Sequence, residues 1–244
     1  MPGVDASQDE AELERRLAEV DALRKRVLNV IPHALRTPIT TFRGLTEALP
    51  HANEREVREE IAPALRRLAA QAERLLDDML LAAGVTTTLP TGEAVGTDVA
   101  TTAREVWADV GGKGTLTIAD GSDGHVAYAP HDSVHRILVH LLDNAARYGD
   151  DPTTLRIERS GSGSGGSIEI VVDSPGNTLA DDLANIGEPF FRGERAVMLA
   201  AGLGVGISVS RALAEHAGGR LDIAARDGGG LTVRVELPAG GDAA

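Results

Sequence analysis

A histidine flanked by two prolines is the first feature of this sequence that could take part in chemistry. It is His33, in the segment PHALRTP at residues 32–38. A neutral imidazole carries a free nitrogen lone pair, and at the ordinary pKa of histidine roughly three-quarters of it is neutral at pH 7. His33 is therefore a candidate nucleophile. Pro38 removes a backbone donor from a helix and leaves the carbonyl of Ala34 unbonded, which predicts a kink beside the histidine.

Closely spaced glycines form a second candidate site, at the segment GLGVG of residues 202–206. Glycines let a backbone approach phosphate groups closely, and a helix that begins just behind them offers free N–H groups. Glycine-rich turns are common, so this motif is weak when taken alone. The preceding strand and the later acidic residue that a dinucleotide-binding fold requires are not found at the expected spacing.

Two further polar positions could bind a ligand. Asn144 lies in the segment HLLDNAARY at residues 140–148, and the oxygen of an amide suits a hard cation such as Mg²⁺. Asp173 follows the apolar run IEIVV, and a carboxylate at the end of a strand can be buried only where a donor satisfies it.

Other metal chemistry has little support in the sequence. The chain has no cysteine, so disulfides and thiolate metal sites are excluded. His131 and His135 stand one helical turn apart, but a third ligand and the glutamate of a metalloprotease helix are missing. We interpret them as histidines on a helix surface.

Two long amphipathic stretches predict the helices that would carry His33. The first has apolar residues three and four places apart between residues 20 and 49, which is the spacing of a coiled-coil seam. The segment PHAN, residues 50–53, predicts a turn, with Asn53 as the N-cap of a second stretch that runs to residue 80. One hairpin cannot enclose so wide an apolar stripe. Two copies are therefore expected to pair into a four-helix bundle, as a homodimer.

The composition changes to Thr, Gly and Pro around residues 84–96, which predicts a linker to a second domain. Strand and helix patterns alternate beyond it, which favours an α/β sandwich with one helical layer. The predicted strands cover residues 116–118, 155–157, 168–172, 221–224 and 232–237, the predicted helices 99–110, 131–148 and 205–216, and a flexible loop 160–167. We therefore expect an α+β chain: a disordered tip at 1–10, the hairpin at 11–84, a linker at 85–95, the sandwich at 96–238 and a tail at 239–244.

The hairpin resembles the phosphoacceptor domain of sensor histidine kinases, both in the box HALRTP at residues 33–38 and in the segment ERLLDDMLLAAG that ends its second helix. The resemblance implies that His33 attacks the γ-phosphate of ATP, with Arg36 in the same box. It also implies that Thr37 positions a water molecule for dephosphorylation of a partner. That partner would be the receiver domain of a response regulator.

The second domain resembles the Bergerat-type ATP-binding fold, with its motifs in the order of that family. The resemblance implies that Asn144 coordinates Mg²⁺, that Arg147 and Tyr148 lie near the phosphates, and that Asp173 accepts a hydrogen bond from the adenine amino group. The segment IGEPFFRG, residues 186–193, corresponds to the aromatic box before the nucleotide lid. The remaining residues implied for nucleotide binding are Gly176, Gly202, Leu203, Gly204, Val205 and Gly206.

Three departures from the family pattern bear on activity. Ala34 stands where an acidic residue usually orients the phosphoacceptor, His140 stands where an asparagine is common, and Pro175 replaces a free glycine after Asp173. A positioned acid or base is worth about 10² to 10⁴ in rate, so slower autophosphorylation is expected. A kinase-attenuated member acting as phosphatase, phosphotransfer protein or scaffold is the alternative. An ATP-driven clamp, like the chaperone and mismatch-repair relatives of the ATP fold, would have no use for the histidine box.

The overall charge excludes one class of partner. A formal net charge of −13 at pH 7 opposes binding to nucleic acid, which requires clustered Lys and Arg. No run of roughly 18 apolar residues predicts a membrane span, and the first ten residues lack a signal peptide's basic and apolar regions. We expect a cytoplasmic protein, or the cytoplasmic part of a larger sensor.

Overall fold

The computed structural model of the chain describes residues 6–84, 89–90, 92–110, 114–161, 165–176, 183–193 and 202–240. It forms two compact units. The first contains the chain up to Arg74 together with Gly202 and Leu203, and the second begins at Leu75. This division falls inside a helix, upstream of the linker predicted at residues 85–95.

The first unit is helical. Its helices are α1 (Ala6–Ala48), a 3₁₀ turn (Leu49–His51), α2 (Glu54–Glu56), a π-helical turn (Val57–Ile61) and α3 (Ala62–Ala82), whose last two turns belong to the second unit. Asn53 is the N-cap that the sequence predicts. It forms a capping box with Glu56, in which each side chain accepts a hydrogen bond 3.0 Å long from the other residue's backbone N–H. The predicted helical hairpin is confirmed.

Helix α1 begins earlier than the sequence indicates. Residues 6–10, which are part of the predicted disordered tip, are helical, and the tail at 241–244 and residues 1–5 lie outside the described residues. The helix is continuous through both Pro32 and Pro38.

The second unit contains a five-stranded sheet and a two-stranded sheet. Its strands are β1 (Ala94–Asp98), β2 (Leu116–Ile118), β3 (Val126–Pro130), β4 (Thr153–Ser160), β5 (Ser167–Pro175), β6 (Arg220–Ala225) and β7 (Gly230–Pro238). The larger sheet has the order β2-β4-β5-β7-β6, with β2 and β4 parallel and the other neighbours antiparallel. β1 and β3 pair separately. All five predicted strands are present, whereas β1 and β3 were not predicted.

Three helices of this unit cover the larger sheet: α4 (Val99–Asp109), α5 (His131–Tyr148) and α6 (Gly206–His216). Helix α5 lies between α4 and α6. Its apolar residues recur three and four places apart and are buried, and they are Val134, Ile137, Leu138, Leu141, Leu142 and Ala145. The predicted α/β sandwich with one helical layer is confirmed. None of the described helices is both long and apolar enough to cross a lipid bilayer.

Candidate functional site

Helix α5 positions the first predicted site residues along one part of its surface. Asn144 and Tyr148 are half-buried at the edge of the apolar stripe, one turn apart. Arg147 is exposed, and its Nε donates a hydrogen bond to Asp143 Oδ1 over 2.7 Å. This i,i+4 pair holds the guanidinium along the helix. The helix ends at Tyr148, and its C-cap Gly149 donates its N–H to the carbonyl of Ala145.

Asp173 lies near the end of β5, which is the central strand of the larger sheet. It pairs in register with Thr232 on β7, and the Thr232 hydroxyl donates a hydrogen bond to Asp173 Oδ1. Thr232 is buried, and Asp173 is half-buried. The donor that burial of this carboxylate requires is therefore Thr232, which the sequence analysis did not identify. Only the strand register brings these two residues together.

The loop after β5 lies against the end of α5. Asp150 N–H donates to the carbonyl of Pro175 over 2.7 Å. Gly176 has a φ of +154°, and a Cβ placed on it would lie 3.4 Å from the carbonyl oxygen of Tyr148. Residues predicted from two distant motifs thus meet at one end of the sheet.

The glycine motif divides between the two units. Gly202 and Leu203 group with the first unit, and Gly204 to Gly206 belong to the second. Gly204 has a φ of +70°, and a Cβ on it would lie 2.3 Å from the carbonyl oxygen of Phe191 in the predicted aromatic box. Val205 is the N-cap of α6, and its side chain accepts no capping hydrogen bond from the described residues. The first N–H groups of α6 are therefore available to an anion.

His140 connects α5 to the start of α6. It lies one turn before Asn144, and its Cβ and Nδ1 are each 3.5 Å from the position that a Cβ on Gly206 would take. This is an ordinary van der Waals distance. His140 therefore lies beside the uncapped start of α6, and Asn144 follows it by one turn on α5.

A buried ion cluster lies on the other side of His140. Asp78, in the last turns of α3, accepts a hydrogen bond 2.6 Å long from Arg136 Nη2, and its second oxygen is 3.3 Å from His140 Nε2. All three side chains are mostly buried: Asp78 is 11% exposed, Arg136 14% and His140 15%. Burial raises the pKa of Asp78, but the hydrogen bonds and charges of His140 and Arg136 outweigh burial and lower this pKa overall.

Replacing Asp78 with asparagine is expected to lower the free energy of unfolding of the second unit by about 3 kcal/mol at pH 7, because Arg136 loses its buried counter-charge. Trp107, the single tryptophan, is half-buried in α4 and reports this transition by fluorescence during denaturant unfolding. Because the pKa of Asp78 is lowered in the folded state, the stabilisation is complete above its ordinary pKa of 3.8 and is lost as the pH falls through the lowered value. The difference between wild type and variant should shrink below about pH 4. A difference that is constant between pH 7 and pH 3 would contradict this prediction.

The candidate phosphoacceptor box lies in the first unit. His33 is within α1, and Arg36 and Thr37 are exposed on the same helix. Thr41 Oγ1 donates to the carbonyl of Thr37 over 3.1 Å, in the part of the helix where Pro38 removes one backbone donor. The exposed hydroxyl of Thr37 stands one turn after His33.

Comparison with known proteins matches two parts of the chain to family models. Residues 23–84 match the His Kinase A (phospho-acceptor) domain, and residues 130–241 match the histidine kinase-, DNA gyrase B- and HSP90-like ATPase. The described residues of the second match include Asn144, Asp173, Gly176 and Gly204 to Gly206.

Curated relatives match nearly the whole chain. A bacteriophytochrome of Pseudomonas aeruginosa is 29% identical over 86% of this chain and 29% of its own length. The sensor protein KdpD of Mycobacterium tuberculosis is 28% identical over 95% of this chain and 28% of its own length. The signal transduction histidine-protein kinase BaeS of Escherichia coli is 26% identical over 95% of this chain and 50% of its own length. The chain therefore spans half the length of these relatives or less.

One solved structure shares the fold over most of the chain. Full-length ShkA in complex with AMPPNP superposes with a TM-score of 0.58 and 21% identity, covering 89% of this chain and 46% of ShkA. At this identity the likeness bears on the fold alone.

Proposed function

Because the chain belongs to the histidine protein kinase family, with a phospho-acceptor domain followed by an ATPase domain, we propose that it phosphorylates itself on His33 and passes the phosphoryl group to a response regulator. A ring nitrogen of His33 attacks the γ-phosphorus of ATP, a nitrogen–phosphorus bond forms, and the bond to the β,γ-bridging oxygen breaks to release ADP. An aspartate carboxylate of the regulator then attacks the phosphorus, and the imidazole leaves. The observation that carries the proposal is that α5, the helix of Asn144, contacts two other predicted motifs: its end lies against the loop of Gly176 that follows Asp173, and its His140 lies beside the start of α6.

The described residues of the second unit fit an adenine nucleotide. Asp173 offers a half-buried carboxylate, held on one oxygen by Thr232, as the acceptor for the adenine amino group. The phosphates would meet the first N–H groups of α6, where the helix dipole favours negative charge. Gly204 to Gly206 would form the part of the phosphate loop that belongs to this unit.

Magnesium would be held through the amide oxygen of Asn144 and by the nucleotide phosphates, because Mg²⁺ keeps most of its waters and takes few ligands from protein. The ion would neutralise charge that develops on the transferred group. Arg147 and Tyr148 lie within one turn of Asn144, where they would contact the phosphates. The contribution of the protein is therefore positioning and electrostatics.

The hairpin supports the proposed homodimer. Apolar side chains on α1 remain open to solvent in the single chain, with Ile39 62% and Phe42 54% exposed. Such large side chains at helical spacing favour burial against a second copy in a four-helix bundle.

Thr37, exposed beside the phosphoacceptor, would position the water that dephosphorylates the regulator. Use of cellular ATP agrees with a cytoplasmic location.

Incubation of the protein with γ-labelled ATP and Mg²⁺ tests the proposal. The expected result is protein-bound label that is lost in acid and kept in alkali, and that moves to a receiver domain when one is added. Label that survives acid would overturn histidine phosphorylation. Nucleotide binding without any label would favour the attenuated alternative, in which Ala34 reflects lost kinase chemistry.

Replacing Asp173 with alanine is expected to weaken ATP binding roughly 10- to 100-fold, because a hydrogen bond to a charged group contributes about 1.5–3 kcal/mol. Calorimetric titration measures the change. Thr232→Val is the matched control: it removes the hydroxyl that supports the carboxylate but leaves the carboxylate, so the loss should be smaller. GTP has no amino group at the corresponding ring position, so its affinity should be nearly the same in wild type and Asp173→Ala. Equal losses for ATP and GTP would argue against adenine recognition by Asp173.

A further inference from the structure

The imidazole of His140 separates two elements of the second unit. Its Nε2 is 3.3 Å from Asp78 Oδ2 at the end of α3, and its Nδ1 is 3.5 Å from the position of a Cβ on Gly206 at the start of α6. A ring in this position acts as a spacer between the end of α3 and the glycine motif. Because it is mostly buried, it has little freedom to move without moving one of them.

Asp78 fixes the orientation of this ring. An ionised carboxylate can only accept hydrogen bonds, so the contact requires that Nε2 of His140 carries the proton. Arg136 holds the other oxygen of the carboxylate over 2.6 Å and so prevents it from turning away. The ring is then held with Nδ1 on the side of Gly206. This is the arrangement by which a carboxylate sets the tautomer and orientation of a histidine at many functional sites.

The position of the ring matters because of what lies next to it. Asn144 follows His140 by one turn on α5, and the start of α6 has no side-chain cap among the described residues. A phosphate bound there would therefore depend on the spacing between α5 and α6. A change in the packing of one imidazole changes that spacing.

We propose that Asp78 is a positioning residue for the nucleotide, acting through His140, whose imidazole it fixes against Gly206 so that the start of α6 is held beside Asn144. The inference rests on the proposed binding of ATP by this unit. It adds to the site a residue of α3, the helix that continues from the hairpin. By thermodynamic linkage, a nucleotide that favours this arrangement must in turn stabilise the contact between Asp78 and His140.

A double-mutant cycle on nucleotide affinity tests the inference with the full chain. Binding of the non-hydrolysable analogue AMPPNP is measured by calorimetry for wild type, Asp78→Ala, His140→Ala and the double variant. Each single change is expected to weaken binding about tenfold, and the double variant should bind no more weakly than the weaker single variant, because the two residues act as one unit. Losses that multiply to about a hundredfold would show independent effects and overturn the inference.

Met79→Ala is the matched control, because Met79 is also buried at the end of α3 and stands next to Asp78. It should lower the unfolding midpoint and leave the affinity for AMPPNP unchanged. A loss of affinity as large as that of Asp78→Ala would indicate a general effect of packing at this helix end and would overturn the inference. Failure of the wild type to bind AMPPNP would instead overturn the proposed function.

A spectroscopic measurement without nucleotide tests the dyad even if Asp78→Ala does not fold. The ¹⁵N-histidine spectra are recorded well above the ordinary pKa of histidine, where a neutral ring has a defined tautomer. The signal that disappears in His140→Ala identifies His140, and it should show the tautomer protonated at Nε2. In Asp78→Asn the amide keeps the shape of the side chain, its oxygen can still accept from Arg136, and its NH₂ then faces Nε2 as a donor. The tautomer should therefore change to Nδ1–H. An unchanged signal in Asp78→Asn would overturn the inference.

Discussion

Replacing His33 with glutamine is expected to remove essentially all acid-labile label from protein incubated with γ-labelled ATP and Mg²⁺. Glutamine keeps a polar side chain of similar length but has no nitrogen lone pair that can attack phosphorus. His33 lies in α1, whereas Asn144, Asp173 and Gly204 to Gly206, which we propose to bind the nucleotide, lie in the second unit. AMPPNP affinity should therefore be unchanged in the variant. Autophosphorylation is measured by filter binding or by gel, with affinity measured in parallel.

His51→Gln is the matched control for this experiment. His51 is exposed in the 3₁₀ turn between the two helices of the hairpin and belongs to none of the proposed sites. It should keep the wild-type level of label. Label that persists in His33→Gln and disappears in His51→Gln would move the phosphoacceptor to the hairpin turn and refute the assignment of His33.

Replacing Gly204 with alanine is expected to destabilise the second unit by about 2–4 kcal/mol. The left-handed backbone at φ +70° costs an L-residue about 1–2 kcal/mol, and the new Cβ would lie 2.3 Å from the Phe191 carbonyl oxygen and 2.8 Å from Arg192 Cγ. The side-chain and backbone shifts that such overpacking forces typically destabilise a protein by about 1–3 kcal/mol. Denaturant unfolding followed by the fluorescence of Trp107 measures the loss, and nucleotide affinity should fall with it.

Gly206→Ala is the matched control, because it also replaces a glycine of this motif with alanine but creates no steric clash. A Cβ at Gly206 meets His140 atoms at an ordinary 3.5 Å, and Gly206 lies at the first position of α6, where alanine is a good helix former. Its stability should stay within about 0.5 kcal/mol of wild type, as for changes that remove no packing or cap. Equal destabilisation by the two variants would contradict the role assigned to Phe191.

Periodic segments could be predicted well from the sequence. The 18 residues of α5 lie at the predicted bounds because its apolar positions recur at helical spacing and Pro130 and Gly149 flank it. Strands β1 and β3 were missed because AVGTD and VAYAP alternate small residues with few large apolar ones. Their pairing comes from tertiary contact with the rest of the unit, not from local pattern.

Residues of the candidate site could be proposed from the sequence, whereas the contacts between them could not. Asn144, Asp173 and Gly204 lie in recognisable local motifs, so the sequence was enough to propose them as candidates. Thr232 and Asp78 lie in no such motif. Thr232 joins the candidate site through its hydrogen bond to Asp173, 59 residues away in the sequence. Asp78 joins it through contacts on α5, one of them with Arg136, 58 residues away. From the sequence, His140 is only a departure from the family pattern. Its contacts with Asp78 and with the start of α6 become visible only in the fold.

The antiparallel pairing of β4 with β5 also has a practical consequence. Its register runs from Thr154 opposite Asp173 at one end to Ser160 opposite Ser167 at the other. At about 3.4 Å per residue, the glycine- and serine-rich connection at residues 160–167 begins roughly 20 Å from the Asp173 carboxylate, which we propose to recognise adenine. Dyes, purification tags or short peptide epitopes could be attached at that far end, which would give a labelling point for single-molecule work while leaving nucleotide binding undisturbed.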